Sequence, residues 1–228
     1  MKKTAAAYGV HLLTAAGAAL GLWAIILIYD GFYQEAIWVL AISAIVDSID
    51  GALARLTGTK EYAPKIDGAL MDNIIDFITW TIAPLLWIYA TMQIPVWVLV
   101  VCATASVFGF SNTKAKTDDH FFQGFPSYWN IVVFYIFLLE LPVAFASGIL
   151  LMFAFVTFLP VKFLYPTRTP FLRPLTIGLG TLFTLQFIAL MYYFDESAPW
   201  LIYTSFLFPF YYFGLSFYLN LKRPVTSE

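Results

Sequence analysis

Apolar residues run along this chain in stretches of about twenty, the length a helix needs to cross the hydrocarbon core of a bilayer, and polar residues gather in the short breaks between them. The pattern predicts spanning helices over Ala7–Tyr29, Gln34–Ala54, Gly68–Ala90, Pro95–Ser111, Pro126–Ala146, Gly148–Tyr165, Leu175–Phe194 and Pro199–Leu219. Their boundaries fall on turn and breaker signals: Asp30-Gly31, Pro95, Gly124 with Pro126, the Pro166–Pro174 stretch and Pro199. The break at Ala146–Gly148 is the least marked, because almost nothing polar separates the fifth stretch from the sixth. No internal repeat or low-complexity tract is present, and the longest polar segment, Ser111–Ser127, reads as a loop. The expectation is an all-α polytopic bundle of about eight transmembrane helices, forming a single integral-membrane domain over residues 1–228.

Composition changes the picture little. The chain is 61% hydrophobic and 11% charged, where soluble domains carry about 25% charged residues. Aromatics, at 19%, suit interfacial belts and apolar packing. The single cysteine, Cys102, lies in an apolar run and reads as a small packed hydrophobe.

The placement of charge adds more than its sum. With eight spans, Lys2, Lys3, Arg55, Lys60, Lys65, Lys114, Lys116, Lys162, Arg168, Arg173, Lys222 and Arg223 all fall on the side of the N-terminus. The opposite loops hold Asp30, Glu35, Glu140, Asp195 and Glu196, with no Lys or Arg. One span more or fewer would spoil this segregation. The positive-inside rule then makes both termini cytoplasmic. Lys2-Lys3 before an apolar run also fits a signal peptide. The run is long for one and Tyr29-Asp30 is a poor cleavage site, so an uncleaved first helix is expected. No nucleic-acid partner is expected.

Candidate chemistry lies in two short segments. Asp47, Gly51 and Arg55 stand four residues apart on the second predicted helix, with Asp50 and Ala54 beside that stripe; Gly68, Asp72 and Asp76 repeat the spacing on the third. Carboxylates at membrane depth are costly and mark function by default. Packed face to face, the two stripes would place four like charges around one cavity, which must be neutralised. Hard divalent cations take oxygen ligands and share them with phosphates. Gly51, Ala54 and Gly68 leave the helix backbones open to a ligand, and the planar guanidinium of Arg55 suits phosphate oxygens. Helix pairing through small residues accounts for the glycines but not for four acids. A cation pathway through the carboxylates remains as an alternative of another class, with Arg55 opposing it.

The run Asp47-Ser-Ile-Asp50-Gly51-Ala-Leu-Ala54-Arg55, followed by Gly68-x-x-x-Asp72-x-x-x-Asp76, resembles the signature of the CDP-alcohol phosphotransferases, membrane enzymes of phospholipid synthesis. The spacer Leu56–Asp67 is longer than that family's usual one and is similar to that of a bacterial branch that makes phosphatidylcholine. Asp119-His-Phe-Phe-Gln-Gly124-Phe-Pro-Ser-Tyr128-Trp129-Asn130 also looks like that branch. The resemblance implies transfer of a phosphatidyl group from CDP-diacylglycerol to choline at the cytoplasmic face of the bacterial inner membrane, with release of CMP. Serine, glycerol phosphate or an inositol compound are the alternative acceptors. The resemblance further implies Mn²⁺ or Mg²⁺, as a pair of ions, on Asp47, Asp50, Asp72 and Asp76. Asp50, Gly51, Ala54, Arg55 and Gly68 would form the cytidine diphosphate pocket, and Asp76 would act as general base, as metal ligand, or as both. A homodimer is expected on the same ground.

A quaternary ammonium has no N–H donor and is recognised by aromatic faces. Tyr128 and Trp129 are the leading candidates, with Tyr8, Phe125 and Tyr165 behind them; each also fits an ordinary interfacial belt. Asn130 fits either substrate contact or a bond between helices. Asp67 is expected to be solvated or to cap a helix rather than bind metal. His120 fits proton transfer or simple solvation, Arg168 and Arg173 fit lipid phosphate or anchoring, and His11 reads as a polar packing residue.

Overall fold

A computed structural model of the chain describes residues 2–222 apart from Lys116, Asp118 and His120, so the proton-transfer reading of His120 lies outside the described residues. The described chain is nearly all helical. Among the described residues, four helices are long and apolar enough to cross a membrane: Lys2–Tyr29 (α1), Tyr33–Thr57 (α2), Gly68–Met92 and Arg173–Tyr193. Val96–Ser111, Trp129–Leu138 and Val143–Val156 are shorter apolar helices.

The chain divides into two compact units, Met1–Ile94 with Trp129–Val133, and Pro95–Tyr128 with Phe134–Glu228. The first is built on α1. Its buried residues Ala7, Val10, Thr14, Gly17, Gly21, Ala24 and Ile28 recur at intervals of three and four, a packing stripe made mostly of small side chains. A Cβ on Gly17 would stand 2.7 Å from Ile75 Cγ2, and one on Gly21 would stand 2.8 Å from Ile78 Cγ2. Glycine therefore sets how closely α1 approaches the Gly68–Met92 span. Between α2 and that span, Gly58 takes φ +65° and its N–H closes on the Ala54 carbonyl. The turn Thr59–Tyr62 (α3) follows, and Lys3 Nζ donates to Tyr62 Oη at 3.2 Å. Asp67 is the cap expected of it: its carboxylate accepts from the N–H groups of Ala69 and Leu70.

The Gly68–Met92 span is three pieces in one: α4 (Gly68–Asp76), a π-helical turn (Phe77–Ile82) and α5 (Ala83–Met92). In the π register Ala83 N–H reaches the Ile78 carbonyl, five residues back. The next residue, Pro84, has no N–H to continue the ladder, which would leave the Thr79 carbonyl unserved. Asn130 Nδ2 donates to that oxygen at 3.1 Å. Asn130 thus takes the helix-bonding role of its two readings.

The second unit begins with α6 (Val96–Ser111) and ends with α9 (Arg173–Tyr193), α10 (Pro199–Ser205) and α11 (Leu207–Lys222). The expected break at Ala146–Gly148 is not there. Helix α7 (Trp129–Leu138) stops early, and α8 (Val143–Val156) runs through those residues. The turn falls instead where Glu140 takes φ +49° and Pro142, lacking an N–H, opens the next helix. The expected helix to Tyr165 also ends early. Lys162–Leu164 (β2) pairs antiparallel with Phe121–Gln123 (β1) in the register Phe121↔Leu164. In the last stretch the helix breaks at Phe206, because Pro209 cannot donate to the Ser205 carbonyl four residues back.

The far edge of β2 needs partners, since an unpaired backbone group away from water is costly. Helix α11 supplies them from Tyr212, Ser216 and Asn220, four residues apart on one face. Lys162 N–H donates to Asn220 Oδ1 at 2.9 Å, Asn220 Nδ2 donates to the Lys162 carbonyl at 2.6 Å, Leu164 N–H donates to Ser216 Oγ at 3.1 Å, and Tyr212 Oη donates to the Leu164 carbonyl at 3.2 Å.

Candidate active site

The site lies in the first unit, where the end of α2 meets the start of α4. Its acids are short side chains on helices, so each carboxylate goes where its helix face points and no further. Asp47 and Asp50 lie one turn apart on α2, and Asp72 lies one turn into α4. Each of the three offers an oxygen within 4.8 Å of the others, a group able to hold a metal ion. Asp50 is buried, and Asp47 and Asp72 are half-buried. Three hard oxygen donors that close, on rigid helices, fit Mg²⁺ or Mn²⁺ chemistry and not that of a soft, thiolate-seeking ion. Asp76 stands one turn beyond Asp72 on the same helix, at the entry to the π turn.

The small residues fall where the spacing puts them. Gly51, Ala54 and Gly68 are each partly open to the surface. The exposed Arg55 folds back one turn, with a guanidinium nitrogen 3.7 Å from where a Cβ on Gly51 would stand. A Cβ on Gly68 would meet His11 Cε1 at 3.2 Å and His11 Nδ1 at 3.6 Å. His11, read from sequence as packing alone, therefore lies over the second glycine of the signature. A polar residue one turn after the start of an apolar helix was the signal available for it.

The aromatic candidates divide. Trp129 has no exposed surface. Tyr128 is half-buried and meets Phe125 and Tyr212 edge-on, each at 6.5 Å. Phe125 is buried against Phe153 at 4.6 Å. Tyr165 stacks on Phe122 at 4.6 Å and already carries the Arg168 guanidinium over its ring at 4.9 Å. Tyr8 is 40% exposed and edge-on to His11.

The chain is similar in sequence to known proteins. Curated relatives named phosphatidylcholine synthase include those of Legionella pneumophila, 38% identical over 174 residues (73% of this chain, 68% of the relative), and Rhizobium meliloti, 34% identical over 201 residues (86% and 83%). A third, from Borreliella burgdorferi, is 37% identical over 187 residues (80% of each). The family model described as CDP-alcohol phosphatidyltransferase matches residues 10–160, which contain the whole acidic constellation. This chain belongs to the CDP-alcohol phosphatidyltransferase family and is an integral-membrane transferase of phospholipid synthesis.

Proposed function

We propose that this chain transfers the phosphatidyl group of CDP-diacylglycerol to choline, giving phosphatidylcholine and CMP. The observation that carries the reading is the convergence of Asp47, Asp50 and Asp72 within 4.8 Å, beside Gly51 and Gly68, each partly open to the surface. The name of the relatives, phosphatidylcholine synthase, supports choline as acceptor.

Asp47, Asp50, Asp72 and Asp76 would hold Mn²⁺ or Mg²⁺, which when bound supplies charge neutralisation to the pyrophosphate and to the departing phosphate; four carboxylates suit a pair of ions. Asp50, Gly51, Ala54, Arg55 and Gly68 receive the cytidine diphosphate, with the Arg55 fork on its oxygens. Asp76 accepts the proton of the choline hydroxyl. The choline oxygen then forms a bond to the phosphatidyl phosphorus. The bond from that phosphorus to the bridging oxygen breaks, CMP leaves with the electron pair, and Asp76 passes its proton to water. For the ammonium group the reading keeps Tyr128, which is half-buried, ahead of the fully enclosed Trp129.

The same reading carries about eight spans, cytoplasmic termini and an active site on the cytoplasmic side of the bacterial inner membrane. The one-sided placement of Lys and Arg supports it. Homodimers follow from the family likeness.

The test is CMP release by the purified full chain in detergent with CDP-diacylglycerol and Mn²⁺. Release that requires choline and is abolished in Asp76→Asn is expected. Release with serine, glycerol phosphate or inositol instead would keep the chemistry and change the acceptor. Cation uptake into vesicles without CMP release would overturn the reading in favour of transport.

A further inference from the structure

The imidazole of His11 is 94% buried by its 6% exposure, and its Nε2 is sealed from solvent with no hydrogen-bond partner. A buried ring nitrogen in that state is unusual enough to require a reason. Tyr8, one turn before it, offers a ring edge and no hydrogen bond to that nitrogen. The ring edge that faces the signature is Cε1–Nδ1: Cε1 lies 3.2 Å and Nδ1 3.6 Å from the position of a Cβ on Gly68. Imidazole has a second orientation of the same shape, turned 180° about χ2, which exchanges Cε1 with Nε2. In that orientation the sealed position holds a carbon, which needs no partner, and Nε2 faces Gly68. The rotation also exchanges Nδ1 with Cδ2, so it removes nitrogen from the sealed position and makes Nε2 the ring atom nearest Gly68.

Building on the reading that the acidic site takes a cytidine diphosphate donor, we propose that His11 is a binding residue for that donor, contributing a hydrogen bond from Nε2–H to one of its oxygens beside Gly68. The neutral imidazole has one N–H donor. Both the pyrophosphate and the cytosine ring offer oxygen acceptors, whereas choline offers only the hydroxyl that the reading gives to Asp76. We therefore assign His11 to the donor. This also gives Gly68 a specific reason to be glycine: a side chain there would press on the ring that makes the bond.

The experiment uses the full chain in detergent with Mn²⁺ and compares wild type with His11→Phe, which fills the volume without a donor, and His11→Gln, which keeps an N–H at similar reach. CDP alone is the probe for binding, read as its protection against thermal unfolding, and CMP release gives KM for each substrate. The expected result is that His11→Phe raises KM for CDP-diacylglycerol about tenfold or more, the scale of a lost hydrogen bond to a charged group. KM for choline stays unchanged, protection by CDP is lost, and His11→Gln recovers part of both. Undiminished CDP protection and unchanged KM in His11→Phe would overturn the proposal and leave the donor reading intact. So would a loss of stability alone in both variants, or an effect confined to choline. Absence of CDP protection and of CMP release in the wild type would overturn the donor reading itself, and this proposal with it.

Discussion

The two compact units pack by opposite means. In Met1–Ile94 with Trp129–Val133, helices approach through glycine and alanine, and methyl groups of Ile75 and Ile78 fill the places where Cβ atoms on Gly17 and Gly21 would stand. In Pro95–Tyr128 with Phe134–Glu228, rings fill the space: Phe134 against Phe187 at 5.1 Å, Tyr135 against Phe206 at 4.6 Å, Phe183 against Phe208 at 5.3 Å. Aspartate reaches only a few ångströms from its helix, so two helices can share an ion through aspartates only where they lie close. The acidic group lies in the unit whose side chains are small. Rings stabilise by area and shape, but hold helices too far apart for short acids to meet.

The largest effect that tests this contrast separates the acids themselves. Asp76→Asn is expected to lower kcat by about 10² to 10⁴, the range for a lost general base, while CDP still protects the protein in Mn²⁺. Asp50→Asn, a buried member of the trio, is expected to lose both CMP release and Mn²⁺-dependent protection by CDP. If Asp76→Asn also loses that protection, its role is ligand rather than base.

Glycine substitutions probe the packing directly. Gly17→Ala drives a Cβ into Ile75 Cγ2 and is expected to cost about 1–3 kcal/mol, as overpacking does. Adding Ile75→Ala removes the obstructing methyl and should return part of the loss, a coupling measurable as a double-mutant cycle. Gly148→Ala in α8 is the control. Nothing lies within 4 Å of its Cβ position, so it should be neutral or gain about 0.5–1 kcal/mol from helix propensity. Equal costs at Gly17 and Gly148 in thermal unfolding would break the comparison.

Each unit also uses an asparagine to serve backbone groups that no backbone partner reaches. Asn130→Leu strands the Thr79 carbonyl, and Asn220→Leu strands the N–H and carbonyl of Lys162. Each should cost about 1–3 kcal/mol, the price of a buried unpaired polar group. Pro84→Ala restores an N–H in the π register, so it should rescue Asn130→Leu and leave Asn220→Leu unimproved.

These devices mark the limit of what the sequence made legible. The convergence of Asp47, Asp50 and Asp72 was readable because spacing on a helix fixes a face: Asp47 with Gly51 and Gly68 with Asp72 stand at i, i+4, and Asp50 lies beside the first pair at i+3 from Asp47. Helices α1, α2 and α9 were readable from apolar length. The turn at Glu140–Pro142 was not: in so apolar a stretch its one charge and one proline compete with Gly148, and which residue takes positive φ depends on packing. Strand β2 was hidden for a different reason. Three residues carry no usable period, and what stabilises them is the Tyr212, Ser216, Asn220 stripe about fifty residues away, which reads locally as interfacial polarity. The role of Asn130 needed the π register, and that register becomes visible only once the Ala83 N–H is seen to reach Ile78.

The smallest expected effect lies at the polar margin of the aromatic unit. Lys162, which opens β2, makes an ion pair at 2.8 Å with Asp119, and Thr117 Oγ1 donates to the same carboxylate at 2.6 Å. Partial burial works against ionisation of Asp119, but the bonds from Lys162 and Thr117 outweigh it and hold the carboxyl below its ordinary value of 3.8. A carboxyl lowered on folding stabilises the folded state above the unfolded value, and that contribution is lost as pH falls below 3.8 through the lowered value. With the two side chains 21% and 35% exposed, solvent screening keeps the pair below about 1 kcal/mol. Asp119→Asn should therefore flatten the acid limb of an unfolding curve by less than that amount, and added salt should shrink the difference further. A loss several times larger would mean that charge, and not the α11 hydrogen-bond stripe, holds β2 in place. The aromatic unit would then depend on polar convergence as the acidic one does.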